Sequence, residues 1–171
     1  LGDDAPSLYC SNHQTGQLTR GLVGLPFPYF YGFKSDGIFQ NMDEVKAYTN
    51  AEGNMIMPNA EPGDVRFVDI DGDGVIGDGD KTYIGKGIPD WVFGLNLGFD
   101  WKGLDFSILL QGQLGAQAYN VSRRIDLGAV NLPKYMLNRW TGEGTTNKYP
   151  KFEVGDATNY VVSDVWVEDA S

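Results

Sequence analysis

Apolar and polar positions alternate most strictly between Trp91 and Leu114. In the first half the odd positions Trp91, Phe93, Leu95, Leu97, Phe99 and Trp101 are all apolar, with aromatics at both ends. Their neighbours Val92, Gly94, Asn96, Gly98 and Asp100 are mostly small or polar. After Lys102-Gly103 the pattern restarts. Leu104, Phe106, Ile108, Leu110 and Leu114 fall on one face, and Asp105, Ser107, Leu109, Gln111 and Gln113 on the other. A period of two is the signature of a β-strand with one apolar face. Each run is about 11 residues long, the length of a tilted strand crossing a bilayer's hydrocarbon. A half-buried strand of a soluble sandwich alternates in the same way. The span length, the terminal aromatics and the Gly-, Asn-, Gln- and Ser-rich opposite face favour a transmembrane hairpin over residues 91–114, with a wet lumen on its polar side.

Elsewhere the pattern is shorter. Gln17 to Leu25 has room for one strand. Phe27-Pro28-Tyr29-Phe30-Tyr31-Gly32-Phe33 is an aromatic run that suits a sugar-stacking surface, a membrane-interface girdle or core packing around a strand. Asn41 with Glu44 three residues on resembles a capping box, and predicts a short helix from Met42 to about Thr49. Val65-Arg66-Phe67-Val68 and Thr82-Tyr83-Ile84 read as short strands. Pro133 to Trp140 predicts a helical turn with Tyr135, Leu137 and Trp140 partly buried, and Tyr160 to Val167 one more strand. Arg123-Arg124 and Gly142 to Asn147 read as loop.

Between the two short strands lies Asp69-Ile70-Asp71-Gly72-Asp73-Gly74-Val75-Ile76-Gly77-Asp78-Gly79-Asp80. The spacing is that of an EF-hand-like calcium loop. Asp69, Asp71 and Asp73 take positions 1, 3 and 5, and Gly74 supplies the turn at position 6. The Val75 carbonyl takes position 7, Gly77 leaves position 9 to water, and Asp80 takes position 12. Four carboxylates held within about 4–6 Å repel by roughly 1 kcal/mol per pair in water, and a hard divalent cation removes that cost. Oxygen ligands in this number suit Ca2+ better than Mg2+. A solvated acidic turn would share the Asp-Gly composition. Strands rather than helices flank the loop, so metal here would staple a loop, not drive a helix-pair switch.

Charge narrows the partners. With 13 basic and 23 acidic residues the chain carries −10 at pH 7, which speaks against nucleic acid. The single cysteine, Cys10, and single histidine, His13, cannot form an internal disulfide or a Cys/His zinc site. No run of 18 apolar residues appears, which says nothing of β-strand spans. The opening Leu1-Gly2-Asp3 looks like the inside of a longer protein. If the hairpin crosses an outer membrane, its short Lys102-Gly103 turn is periplasmic, while the 61–85 calcium-loop segment and residues 116–159 are extracellular.

Ordered motifs from Phe30 to Ser171 resemble the C-terminal barrel portion of SusC/RagA-like TonB-dependent outer-membrane transporters. They include Phe30-Tyr31-Gly32-Phe33, Asp36-Gly37-Ile38-Phe39-Gln40, Pro62-Gly63-Asp64, the Asp/Gly loop, and Ile84-Gly85 with Pro89. Phe93-Gly94-Leu95-Asn96, Phe106-Ser107, Gln111-Gly112, Asn138-Arg139-Trp140-Thr141, Lys148-Tyr149-Pro150 and Trp166 to Ser171 complete the set. The resemblance implies an all-β fold: residues 1–171 as a fragment of a large antiparallel transmembrane barrel of about 22 strands, with long extracellular loops, short helices and a plugged lumen. It implies import of oligosaccharides or peptides across the outer membrane of Bacteroidota, beneath a SusD-like surface lipoprotein. The TonB complex would energise transport through segments outside this chain. No covalent chemistry, and so no enzyme, is implied. The alternative from a different class is a soluble secreted calcium-binding β-domain, an adhesin or carbohydrate-binding module. A glycosidase is weaker, since nothing places two carboxylates across a sugar bond.

Overall fold

The computed structural model describes residues 8–12, 16–120, 134–153, 158–159 and 161–171. Its strands in chain order are β1 (Leu8–Asn12), β2 (Gly16–Gly21), β3 (Tyr29–Phe33), β4 (Ser35–Ile38), β5 (Val65–Phe67) and β6 (Lys81–Lys86). They continue with β7 (Trp91–Trp101), β8 (Leu104–Leu114), β9 (Gln117–Tyr119) and β10 (Val167–Asp169). One short α-helix, α1 (Met42–Ala47), and three 3-10 turns accompany them. Every ladder is antiparallel. The described strands form four separate sheets, in the orders β1-β2-β3-β6, β4-β5, β9-β10 and β7-β8. The chain is therefore β-rich, as expected, and no closed barrel is present among the described residues.

The core lies between β3, the β4–β5 pair and α1. Phe33, Phe39, Val45, Ile56, Met57, Ala60, Val65 and Phe67 form one buried cluster, with Tyr48 and Ile76 packed against it. Helix α1 begins where the sequence placed it: Asn41 Oδ1 accepts the Glu44 N–H at 3.0 Å. Glu44 reaches one residue further back than a standard capping box requires, and its carboxylate takes the Gln40 N–H at 2.9 Å. The helix closes at Ala47, two residues short of the predicted end. Tyr48 turns instead into the core, and its hydroxyl donates to the Phe67 carbonyl at 2.6 Å.

The segment from 134 to 153 folds over this core through side chains that the hydropathy pattern did not mark. Gln40 is the first clasp: its Nε2 donates to the Thr146 carbonyl, and its Oε1 accepts the Gly144 N–H and the Trp140 indole N–H. A separate clasp, Asn159, holds the start of β5. It is fully buried, accepts the Val65 N–H at 2.8 Å, and donates to Asp64 Oδ1 at 2.9 Å. Lys151 completes the network against Glu61, Asp64 and Glu153. Burial lowers the Lys151 pKa, but these three carboxylates outweigh it and hold the ammonium above its ordinary range.

The hairpin β7–β8 matches its predicted boundaries. Trp91 pairs with Leu114 and Trp101 with Leu104, in unbroken register. Lys102 and Gly103 both have positive φ, 47° and 86°, as a two-residue hairpin turn of the I′ kind requires. Register puts Leu95 opposite Leu110, Leu97 opposite Ile108 and Phe99 opposite Phe106, so the apolar residues share one face. The Phe93 ring lies over Gly112, where a Cβ would collide with it, so one ring covers both positions. Both faces of the hairpin are open to solvent.

Three expectations need correction. The strand sought over Gln17–Leu25 ends at Gly21, and a turn closed by the Leu25 N–H on the Leu22 carbonyl follows. Leu137 is 71% exposed, and Met136, at 3%, takes the inward position against Trp166, because the tighter 3-10 turn Lys134–Asn138 rotates its neighbours differently. The strand sought over Tyr160–Val167 is a 3-10 turn, Asp164–Trp166, with β10 beginning only at Val167. There the Val162 carbonyl accepts the Phe33 N–H and Asp164 Oδ1 accepts the Ser35 N–H, so the segment is held edge-on by single contacts rather than a ladder. His13, Arg123, Arg124, Pro133 and Tyr160 lie outside the described residues.

Candidate functional site

The acidic loop leaves β5 and enters β6, strands that belong to different sheets. It is tied at its start by the Val68 N–H on the Lys34 carbonyl at 3.0 Å, and in its middle by Ile76 against the core. Within the loop, carboxylates satisfy the backbone. Asp69 accepts the Gly72 N–H at 2.7 Å and the Gly74 N–H at 2.9 Å. Asp71 accepts the Asp73 N–H at 3.1 Å, and Asp73 accepts the Val75 N–H at 2.8 Å. Gly72 and Gly74 have φ of 76° and 83°, a left-handed backbone that a side chain would strain. The Asn50 side chain packs where a Cβ on Gly74 would stand, so the turn cannot thicken.

Of the five predicted ligands, the fold gathers three. Asp69, Asp71 and Asp73 each offer a carboxylate oxygen, and these lie within 4.8 Å of one another. Asp71 and Asp73 are exposed and Asp69 is half-buried. Asp80 has a different place: it is 1% exposed and accepts N–H groups from Ile70 at 2.6 Å, Gly77 at 2.7 Å and Asp71 at 3.4 Å. Burial pushes its carboxyl up, but the N–H groups of Gly77, Ile70 and Asp71 and a contact with the Asp69 carboxyl outweigh it. They hold Asp80 below the usual carboxylate range. Val75 is exposed and sits directly after the Asp73–Gly74 turn. The donor set is all oxygen, which suits a hard divalent cation. Asp78, outside the predicted set, pairs with Lys81 at 2.6 Å.

Two features escaped the sequence reading. Gln40 and Lys151 fasten the 134–153 segment to the residues around Phe39 and Asp64, and Asn159 holds Val65 and Asp64. The second is the sheet of β9 and β10, which joins residues near 118 and 168. Val167, the end of the strand expected over Tyr160–Val167, is the one residue of β10 that the sequence pattern marked.

No family model matches the chain. Among curated relatives, TonB-dependent receptor P26 of Formosa agariphila is 30% identical over 156 residues, covering 90% of this chain and 15% of the relative. TonB-dependent receptor P3 of the same organism is 28% identical over 123 residues, covering 71% of this chain and 12% of the relative. TonB-dependent receptor P39, also of that organism, is 28% identical over 165 residues, covering 75% of this chain and 16% of the relative. The chain thus spans less than a fifth of the length of these relatives, and what it is similar to, over most of its own length, is one stretch of the TonB-dependent receptors.

Proposed function

We propose that this chain is part of a SusC/RagA-like TonB-dependent transporter. In this reading the β7–β8 hairpin crosses the outer membrane and the core around Phe39 stands outside it. The observation that carries the reading is the hairpin itself. Two 11-residue strands in continuous register present one apolar face that the described residues leave exposed. At about 3.3 Å per residue each strand spans roughly 36 Å, enough to cross a hydrocarbon layer of about 30 Å at a tilt. Lipid on the apolar face and water on the Asn/Gln/Ser face satisfy both sides at once. A two-residue turn at one end and a folded assembly at the other support a periplasmic Lys102-Gly103 and an extracellular acidic loop.

The transporter imports oligosaccharides or peptides, works with a SusD-like lipoprotein over its mouth, and takes energy from TonB through segments outside this chain. Ca2+ is held by Asp69, Asp71, Asp73 and the Val75 carbonyl, with Asp80 closing the loop. When bound it neutralises the three gathered carboxylates and staples the connection between β5 and β6. It performs no covalent step.

Mass spectrometry on purified outer membranes tests the location. The expected result is a polypeptide several times longer than 171 residues, co-purifying with a lipoprotein. A mature protein of this length in the soluble fraction would instead favour a secreted calcium-binding β-domain. Limited proteolysis with and without a chelator tests the metal: cleavage between Asp64 and Gly85 is expected to accelerate when calcium is removed. Equal cleavage rates count against the metal.

A further inference from the structure

Strand β8 has a second edge, and the structure shows what approaches it. The Leu114 carbonyl accepts the Asp90 N–H at 2.8 Å, so it points toward β7. The Gly115 N–H belongs to the same peptide unit and therefore points the opposite way, where Ser171 Oγ accepts it at 2.8 Å. The Ala116 carbonyl also turns to that side and accepts the Ala170 N–H at 2.9 Å. Two successive residues thus address one neighbour, the mark of a β-bulge, and Gly115 has the positive φ, 81°, common at such sites. Ser171 Oγ takes the donor that the bulge leaves spare. Strand β10 therefore runs antiparallel along β9 and arrives at the edge of β8 that β7 does not use.

Alternation fixes what that edge offers. With Leu114 facing β7, the backbone groups of Gln113, Gln111 and Leu109 face outward. Their side chains lie on the polar face of the hairpin. An open edge of this length is not stable in a membrane.

We infer that the outer edge of β8 is paired by the strand that continues β10 beyond Ser171, with its register offset by one residue at the Gly115 bulge. This inference rests on the proposed reading of the chain as part of a longer barrel. Ala170 faces β9, so the next residue facing the ladder is the first after Ser171, and the bulge sets it opposite Gln113. The third residue then faces Gln111 and the fifth faces Leu109.

The register can be read by disulfide trapping in the full-length protein, in a Cys10→Ser background. Directly opposed residues of an antiparallel pair have Cα atoms about 4.5–5.5 Å apart, within disulfide range. Gln111→Cys is combined in turn with a cysteine at the second, third or fourth position after Ser171. Leu109→Cys with the fifth position provides an independent pair should one variant misfold. An intramolecular link is expected for the third and fifth positions, and little for the second and fourth, whose side chains lie on the opposite face. A link at the second or fourth position, a linked dimer, or no link in protein that migrates as a heat-modifiable outer-membrane barrel overturns the inference and leaves the transporter reading intact. Recovery of the protein in the soluble fraction overturns the reading on which the inference rests.

Discussion

Phe39, Val65 and Phe67 are at most 2% exposed, whereas Phe93 and Leu97, on strands just as apolar, are 54% and 50% exposed. The first group belongs to an assembly that supplies its own interior: strands β3 to β5, helix α1, the residues near 144 held by Gln40, and Asn159 against Val65. The hairpin β7–β8 has register, a matched turn and an unbroken ladder, yet its residues stay exposed along almost their whole length. Local rules suffice to form a hairpin, and they do not bury it. In the proposed transporter reading the two regions differ in the solvent each meets, water for one and lipid on one side for the other.

Substitutions on each side of that contrast test it, the largest effect coming from the core. Phe39→Ala empties a fully buried position and is expected to destabilise the assembly around it by about 3–5 kcal/mol. If the hairpin is held in lipid, chemical denaturation followed by proteolysis should show this assembly opening first while β7–β8 stays protected. If both regions lose structure together, the separation drawn here is wrong.

Leu97→Lys places a charge midway along the apolar face. If lipid covers that face, it is expected to cost about 2–4 kcal/mol of folding stability in bilayers. Asn96→Lys, one residue away on the polar face, is expected to cost about 0.5 kcal/mol or less. Equal costs at the two positions would remove the distinction between lipid and lumen faces.

A smaller effect belongs to the clasp. Asn159→Ala leaves the buried Val65 N–H without its acceptor and should cost about 1–3 kcal/mol. Faster hydrogen exchange at Val65, with β7–β8 amides unchanged, is the expected signature. The smallest is Asn41→Ala, which removes the α1 cap and should cost about 1 kcal/mol, seen as fraying of Met42–Ala47 alone.

Legibility in the sequence followed the range of the forces involved. The hairpin could be read to the residue, because alternation, turn chemistry and length are local and agree. The helix start was equally plain, since a cap is a bond between Asn41 and Glu44, three positions apart. Val161, Val162, Val165 and Val167 carry the strand propensity behind the strand expected over Tyr160–Val167, but single contacts to Phe33 and Ser35 decide the shape before β10, and it is a 3-10 turn. Leu137 and Met136 exchanged roles for a comparable reason: helical periodicity does not describe a 3-10 turn.

The acidic loop divides along the same line. Its spacing alone named Asp69, Asp71 and Asp73 as neighbours, because a tight glycine turn leaves their carboxylates few other places. That Asp80 would be buried against the N–H groups of Ile70, Asp71 and Gly77 depended on how the chain closes on itself. Sequence by itself determined the strands of the hairpin, the start of the helix and the acidic turn, each set by neighbours within a few residues. Only the tertiary structure decided that Gln40 holds residues near 144, that Asn159 holds Val65 and Asp64, and that β10 comes to lie beside β9. Each of these contacts joins residues 48 to 106 positions apart, and no periodicity reaches that far.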